Sequence, residues 1–82
     1  MHTYVLRKGN KIQQGGLAQC LNRSKRILEQ EPTSILTIAI ARGGSRNAKI
    51  IAEVTHDGIR YIEEGETYSI RSLKSLELDD GS

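Results

Sequence analysis

At 82 residues the chain makes one domain with a modest core, for which stability on the order of 5–10 kcal/mol is the expectation. Trp and Phe are absent, the aromatics are Tyr4, Tyr61 and Tyr68, and Cys20 is the only cysteine, which excludes an internal disulfide and a cysteine zinc cluster. The net charge of +2 hides a segregation: residues 1–50 hold nine Lys and Arg against two Glu, a net of +7, and residues 51–82 hold three against eight acidic residues, a net of −5.

From the start, Thr3–Lys8 is rich in β-formers and reads as a first strand, ended by Gly9-Asn10. Lys11–Gly16 reads as a basic, glycine-containing connector. Leu17 to Gln30 is the clearest helix. At 100° per residue Leu17, Cys20, Leu21, Ser24, Ile27 and Leu28 fall within an arc of about 120°, the width of a core-facing stripe. Gln19, Arg23, Arg26 and Gln30 line the far side, with Lys25 beside them. Gly16 is an acceptable N-cap, and Pro32 stops the helix by disfavouring helical geometry at Glu31.

Ser34–Arg42 reads as a strand with Leu36, Ile38 and Ile40 on one face and Ile35, Thr37, Ala39 and Ala41 on the other, a small face suited to close packing or to partial exposure. Arg42-Gly43-Gly44-Ser45-Arg46-Asn47 is a turn. Ala48–His56 is the next strand, with Ile50, Ala52 and Val54 inward. Asp57-Gly58 predicts a two-residue hairpin turn that sets His56 opposite Ile59 and Val54 opposite Tyr61, so Ile59–Glu63 is a third strand of a meander. Beyond it two readings stand: a further strand over Thr67–Arg71, or a short helix over Ser69–Leu78. Residues 79–82 read as a frayed acidic tail.

The expected fold is a single α+β domain over residues 1–78. It is a small two-layer unit in which an antiparallel sheet of three to four strands, in the order β-α-β-β-β plus a terminal helix or strand, carries one amphipathic helix on a face. That layout is similar to several small RNA-binding modules, a likeness of layout alone, with no family motif behind it.

Catalysis is disfavoured. Cys20 lies within the apolar stripe, where a thiol behaves as a small hydrophobe, and no Ser-His-Asp or Cys-His spacing accompanies it. Glu63, Glu64 and Glu66 lack the spacing of a calcium loop, so a solvated acidic turn is the better reading, and neither metal nor cofactor is expected. The stretch from Gly9 to Gly16 leads into a helix N-terminus that attracts anions, with Lys11 adding charge, but it lacks the order of a P-loop or dinucleotide fingerprint.

What remains is binding. The leading expectation is a non-enzymatic protein that engages the DNA or RNA backbone through Arg23, Lys25, Arg26, Arg42, Arg46 and Lys49, a basic helix face together with an arginine-flanked glycine turn. The alternative is an inhibitor or adaptor aimed at a protein, of the kind phages and mobile elements carry. It would use the polarised charge and an apolar contact such as Ile51 and Ile62 on the outer sheet face, unless the chain's own terminus covers that face. An edge strand also offers a route to a homodimer. The start has no signal-peptide core, and the longest apolar-rich run, Ile35 to Ala41, falls well short of the roughly 20 residues a membrane helix needs, so a cytoplasmic, membrane-free location is expected.

Overall fold

A computed structural model of the chain describes residues 2–42 and 46–76. Its elements are β1 (His2–Lys8), β2 (Lys11–Gly15), α1 (Leu17–Gln30), β3 (Leu36–Arg42), β4 (Asn47–Thr55), β5 (Gly58–Tyr61), β6 (Thr67–Ser69) and β7 (Lys74–Ser75). The strands form one sheet in the order β5-β4-β3-β1-β2-β7, and β6 pairs with β4. The domain is α+β with one helix, as expected. The sheet is larger than the three to four strands foreseen and is mixed, because β7 runs parallel to β2. The turn over residues 43–45, the end of the expected domain and its acidic tail lie outside the described residues.

The helix occupies the predicted span. Gly16 is its N-cap without a side-chain hydrogen bond, and Glu31 closes it by donating its N–H to Ile27 O. Cys20, Ser24, Ile27 and Leu28 are buried against Leu6, Leu36, Ile38, Ala52 and Val54 of the sheet. Each fully buried Leu or Ile contributes roughly 2 kcal/mol. Ser24 satisfies its hydroxyl locally by donating to Cys20 O at 2.8 Å. Leu17 departs from the expected stripe at 41% exposed, since it opens the helix just as the chain leaves the sheet. The Glu31 carboxylate sits at the negative end of the helix, and Lys8 reaches across from β1 to pair with it.

Four corrections concern strands. The expected connector Lys11–Gly16 is mostly strand β2. It folds back on β1 through Gly9-Asn10, with Gly9 at φ 62° and Lys8 opposite Lys11. Only Ile12 in it is both apolar and buried, so no alternation announces the strand. The β4–β5 hairpin turns at His56-Asp57 rather than Asp57-Gly58. Thr55 pairs with Gly58 and Val54 with Ile59, so each β4 residue meets a partner two residues earlier than expected and the side chains keep their faces. Neither turn residue has positive φ, and Gly58 takes it instead at 135°. Ile50 does not share a face with Ala52 and Val54, because the β3–β4 register shifts between Ile38 and Ala39, leaving Ile51 as the extra residue of a bulge. Lastly, of the two readings for the end, residues 69–76 contain no helix, while the strand alternative holds in part as the short β6, which pairs with β4.

That last stretch shapes the fold. β5 and β6 lie along the same side of β4, interrupted where Glu63, Glu64 and Gly65 bulge out between the bonds Ile62 N–H to Ile51 O and Glu66 O from Ile50 N–H. The chain then leaves one corner of the sheet, where Ile70 donates to Arg46 O, and reaches the diagonally opposite corner, where Lys74 donates to Asn10 O. Four residues span at most about 14 Å. On a flat sheet those corners would stand roughly 25 Å apart. The sheet is therefore strongly curled, with Tyr68, Ile70 and Leu73 packed across its helix-free face on Val5, Ile12, Ala39, Ala41 and Ala48. The three alanines fit the concave side of that curl, where larger side chains would collide. This is the small-residue face read from β3, and the chain's own later segment covers it.

Candidate nucleic-acid interface

The register builds a platform at one end of the helix-bearing face. Across one row Gly15 pairs with Tyr4, Tyr4 with Ile40, Ile40 with Lys49, and Lys49 with Thr67. In the next row His2 pairs with Arg42 and Asn47 with Ser69. Paired residues share a face, and Tyr4 and Ile40 lie two positions from the helix-packed Leu6 and Ile38, so both rows look the same way as α1. The helix covers the other half of that face. Lys49 and Arg42 are exposed and roughly 8 Å apart at the backbone, one strand over and two residues along. Arg46 is exposed immediately before β4. Among the described residues of these two rows none is acidic.

The six expected binding residues therefore occupy four places. Arg42, Arg46 and Lys49 lie at this end, joined by His2, which no motif in the sequence marks and which its pairing with Arg42 brings in. Arg23 and Lys25 leave the helix about 100° to either side of the buried Ser24. Arg23 reaches the β2 flank, where its Nε donates to Gln13 Oε1 at 3.1 Å, and Arg26 lies on the outer side of the helix. Lys25 faces the β4–β5 hairpin from the opposite flank. Of the other front-half cations, Arg7 stacks on the Tyr68 ring and Lys8 pairs with Glu31. Lys11 lies at the far end of β2 from the start of α1, so it does not reinforce that helix terminus as a phosphate site.

Carboxylates gather elsewhere. Asp57, Glu63, Glu64 and Glu66 are exposed along the β5–β6 side, where Glu53 accepts a bond from Arg60 at 3.3 Å. The segregation seen along the chain is thus partly kept in space, with a cationic sheet end and an acidic sheet edge. Among the described residues no three His, Cys, Asp or Glu side chains come together, and no helix is long and apolar enough to cross a membrane. Cys20 is fully buried, and burial raises its thiol pKa above the ordinary 9.0 against a smaller lowering by the Leu6 backbone.

Fold and site together describe a single-helix α+β domain on a curled mixed sheet with a basic end. Comparison with family models, characterised proteins and solved structures finds no match to this chain.

Proposed function

We propose that this domain binds the phosphate backbone of nucleic acid through Arg42, Arg46 and Lys49, with His2 beside them. The observation that carries the reading is the exposed cationic end of the helix-bearing face, free of carboxylates in its two described rows. Guanidinium forks suit phosphate oxygens, and contacts to the backbone alone do not require a particular base sequence. Arg23 carries positive charge to the β2 flank and Arg26 to the outer side of the helix, while Lys25 belongs to a different surface. Binding rather than reaction is further supported by Cys20, the side chain weighed above as a reactive thiol, being walled in by apolar side chains.

Fluorescence anisotropy with labelled duplex and single-stranded DNA and RNA tests this. Three phosphate contacts give a slope near −2.7 in log K against log salt, about a 40-fold loss between 50 and 200 mM. The triple variant Arg42→Glu/Arg46→Glu/Lys49→Glu abolishes binding, and Lys25→Glu leaves it nearly unchanged. No binding at 50 mM salt, or binding indifferent to the triple change, refutes the reading.

A further inference from the structure

The opposite edge of the sheet carries a second surface. β5 is an edge strand with no strand outside it among the described residues. Ile62 donates its N–H inward to Ile51 O at 2.9 Å, and inward bonding alternates along an antiparallel strand, so Arg60 also turns its backbone to β4. The N–H and C=O groups of Ile59 and Tyr61 consequently point out, at an open ladder position. These same two residues expose large side chains, Ile59 at 44% and Tyr61 at 78%. Their pairing with Val54 and Ala52 puts both on the helix-bearing face. There a groove of about 460 Å³ separates α1 from the hairpin, lined by Leu21, Lys25, Leu28, Val54 and Ile59.

Charge selects the occupant. Asp57 stands at one end of this short edge and the bulged Glu63 and Glu64 at the other, while the one cation between them, Arg60, is paired with Glu53 on the far face. A second copy of the chain is a poor fit. Antiparallel self-pairing centred on the open positions sets Arg60 against its own equivalent and brings Asp57 toward Glu63 of the other copy, and like charges placed opposite are destabilising. A strand with cationic residues at both ends and apolar residues at alternate positions reverses each of these terms.

We infer that the β5 edge is a docking site for an extended, Lys/Arg-flanked segment of a partner protein, which adds as a further strand and lays its alternate apolar side chains beside Ile59 and Tyr61 in the groove next to α1. The ladder supplies affinity at Ile59 and Tyr61, and the acidic ends supply orientation and charge selection. This surface is separate from the basic sheet end, so either assignment stands or falls alone.

The probe is a labelled eight-residue peptide, Lys-Lys-Val-Thr-Val-Thr-Lys-Lys, titrated into isotopically labelled protein. Saturable binding with the largest amide shifts at Ile59 and Tyr61 is the expected result. A peptide with Glu in place of every Lys binds at least tenfold more weakly. Tyr61→Pro deletes an outward N–H without touching the β4 ladder, a change edge positions tolerate, and weakens binding at least tenfold, as does Glu63→Lys/Glu64→Lys. The amide shifts of the unaltered protein decide the matter even if a variant fails to fold. The inference is overturned by absence of binding, by equal binding of the acidic peptide, by shifts confined to other elements, or by sedimentation showing β5-dependent self-association.

Discussion

The guanidinium of Arg7 lies 4.5 Å from the centroid of the Tyr68 ring, and this stacking joins the second residue of the β6 strand to the central strand β1 across the concave face. Arg7 is held in place by donating through Nε to Gly9 O at 2.6 Å. The phenol oxygen of Tyr68 is buried without a hydrogen-bond partner, as is Thr37 Oγ1 on the same face.

Stability at Tyr68 therefore comes from the ring and not from the hydroxyl. Tyr68→Phe is expected to leave stability unchanged or raise it by up to about 1 kcal/mol, since it removes an unsatisfied polar atom. Arg7→Gln costs about 0.5–1 kcal/mol through the lost cation–ring contact. Urea denaturation of the three proteins, with an unchanged m-value, checks both.

Alkali should loosen the fold. Burial raises the pKa of the Tyr68 phenol above 10.0, partly opposed by the charge of Arg7, and raises the Cys20 thiol above 9.0. Both groups prefer the neutral form when folded, whereas the unfolded chain ionises at the ordinary values. Their contribution is whole below pH 9, declines first through Cys20 and then above pH 10 through Tyr68, and is lost as pH passes the folded values. Denaturation midpoints between pH 8 and 11 are expected to fall, and Tyr68→Phe to flatten the upper part of that decline. A midpoint that is level across this range contradicts the burial of both groups.

Gly65 is the tight point of the bulge between β5 and β6. A Cβ there would run into the backbone carbonyl of Ile50, which belongs to the β4 ladder and has no rotamer to change. Gly65→Ala is expected to cost about 2 kcal/mol, the scale of an overpacking strain. Thermal unfolding measures it, and the loss should be accompanied by faster hydrogen exchange at Ile50 and Ile62.

The Cys20 thiol is expected to react with a disulfide reagent at least about a thousandfold more slowly in the native protein than in urea, with a rate set by opening of the helix from the sheet. Rapid stoichiometric reaction under native conditions would mean that α1 is not packed as described.

Where one element alone decides its own fate, the chain could be read directly. The helix over Leu17–Gln30 has a 3.6-residue stripe, a glycine before it and a proline after it, and no tertiary contact was needed to bound it. The small-residue side of β3 was likewise apparent from Thr37, Ala39 and Ala41. Features that depend on distant partners were not. β2 is held by β1 and shows only Ile12 to the core. The two-residue β7 has no pattern at all and exists because the sheet curls until Lys74 meets Asn10. The bulge at Ile51 moved Ile50 to the other face, and Ile51 itself packs beside the helix-side core rather than forming an exposed contact with Ile62. Of the cations, Arg42, Arg46 and Lys49 stayed together because a hairpin keeps sequence neighbours close in space. Arg23 and Lys25 parted because two helical positions turn through 200°. The open side of Ile59 and Tyr61 follows from strand order, which no local pattern encodes.

The strap formed by Tyr68, Ile70 and Leu73 comes after every other major piece of the fold in chain order. During synthesis the helix and the first five strands are made with the alanine-lined hollow still bare. The nascent domain thus passes through a half-shut stage, and its final consolidation waits for a handful of residues to arrive and stitch two remote corners together. Premature termination anywhere before residue 68 would strand the polypeptide at that stage, as a client of chaperones and proteases.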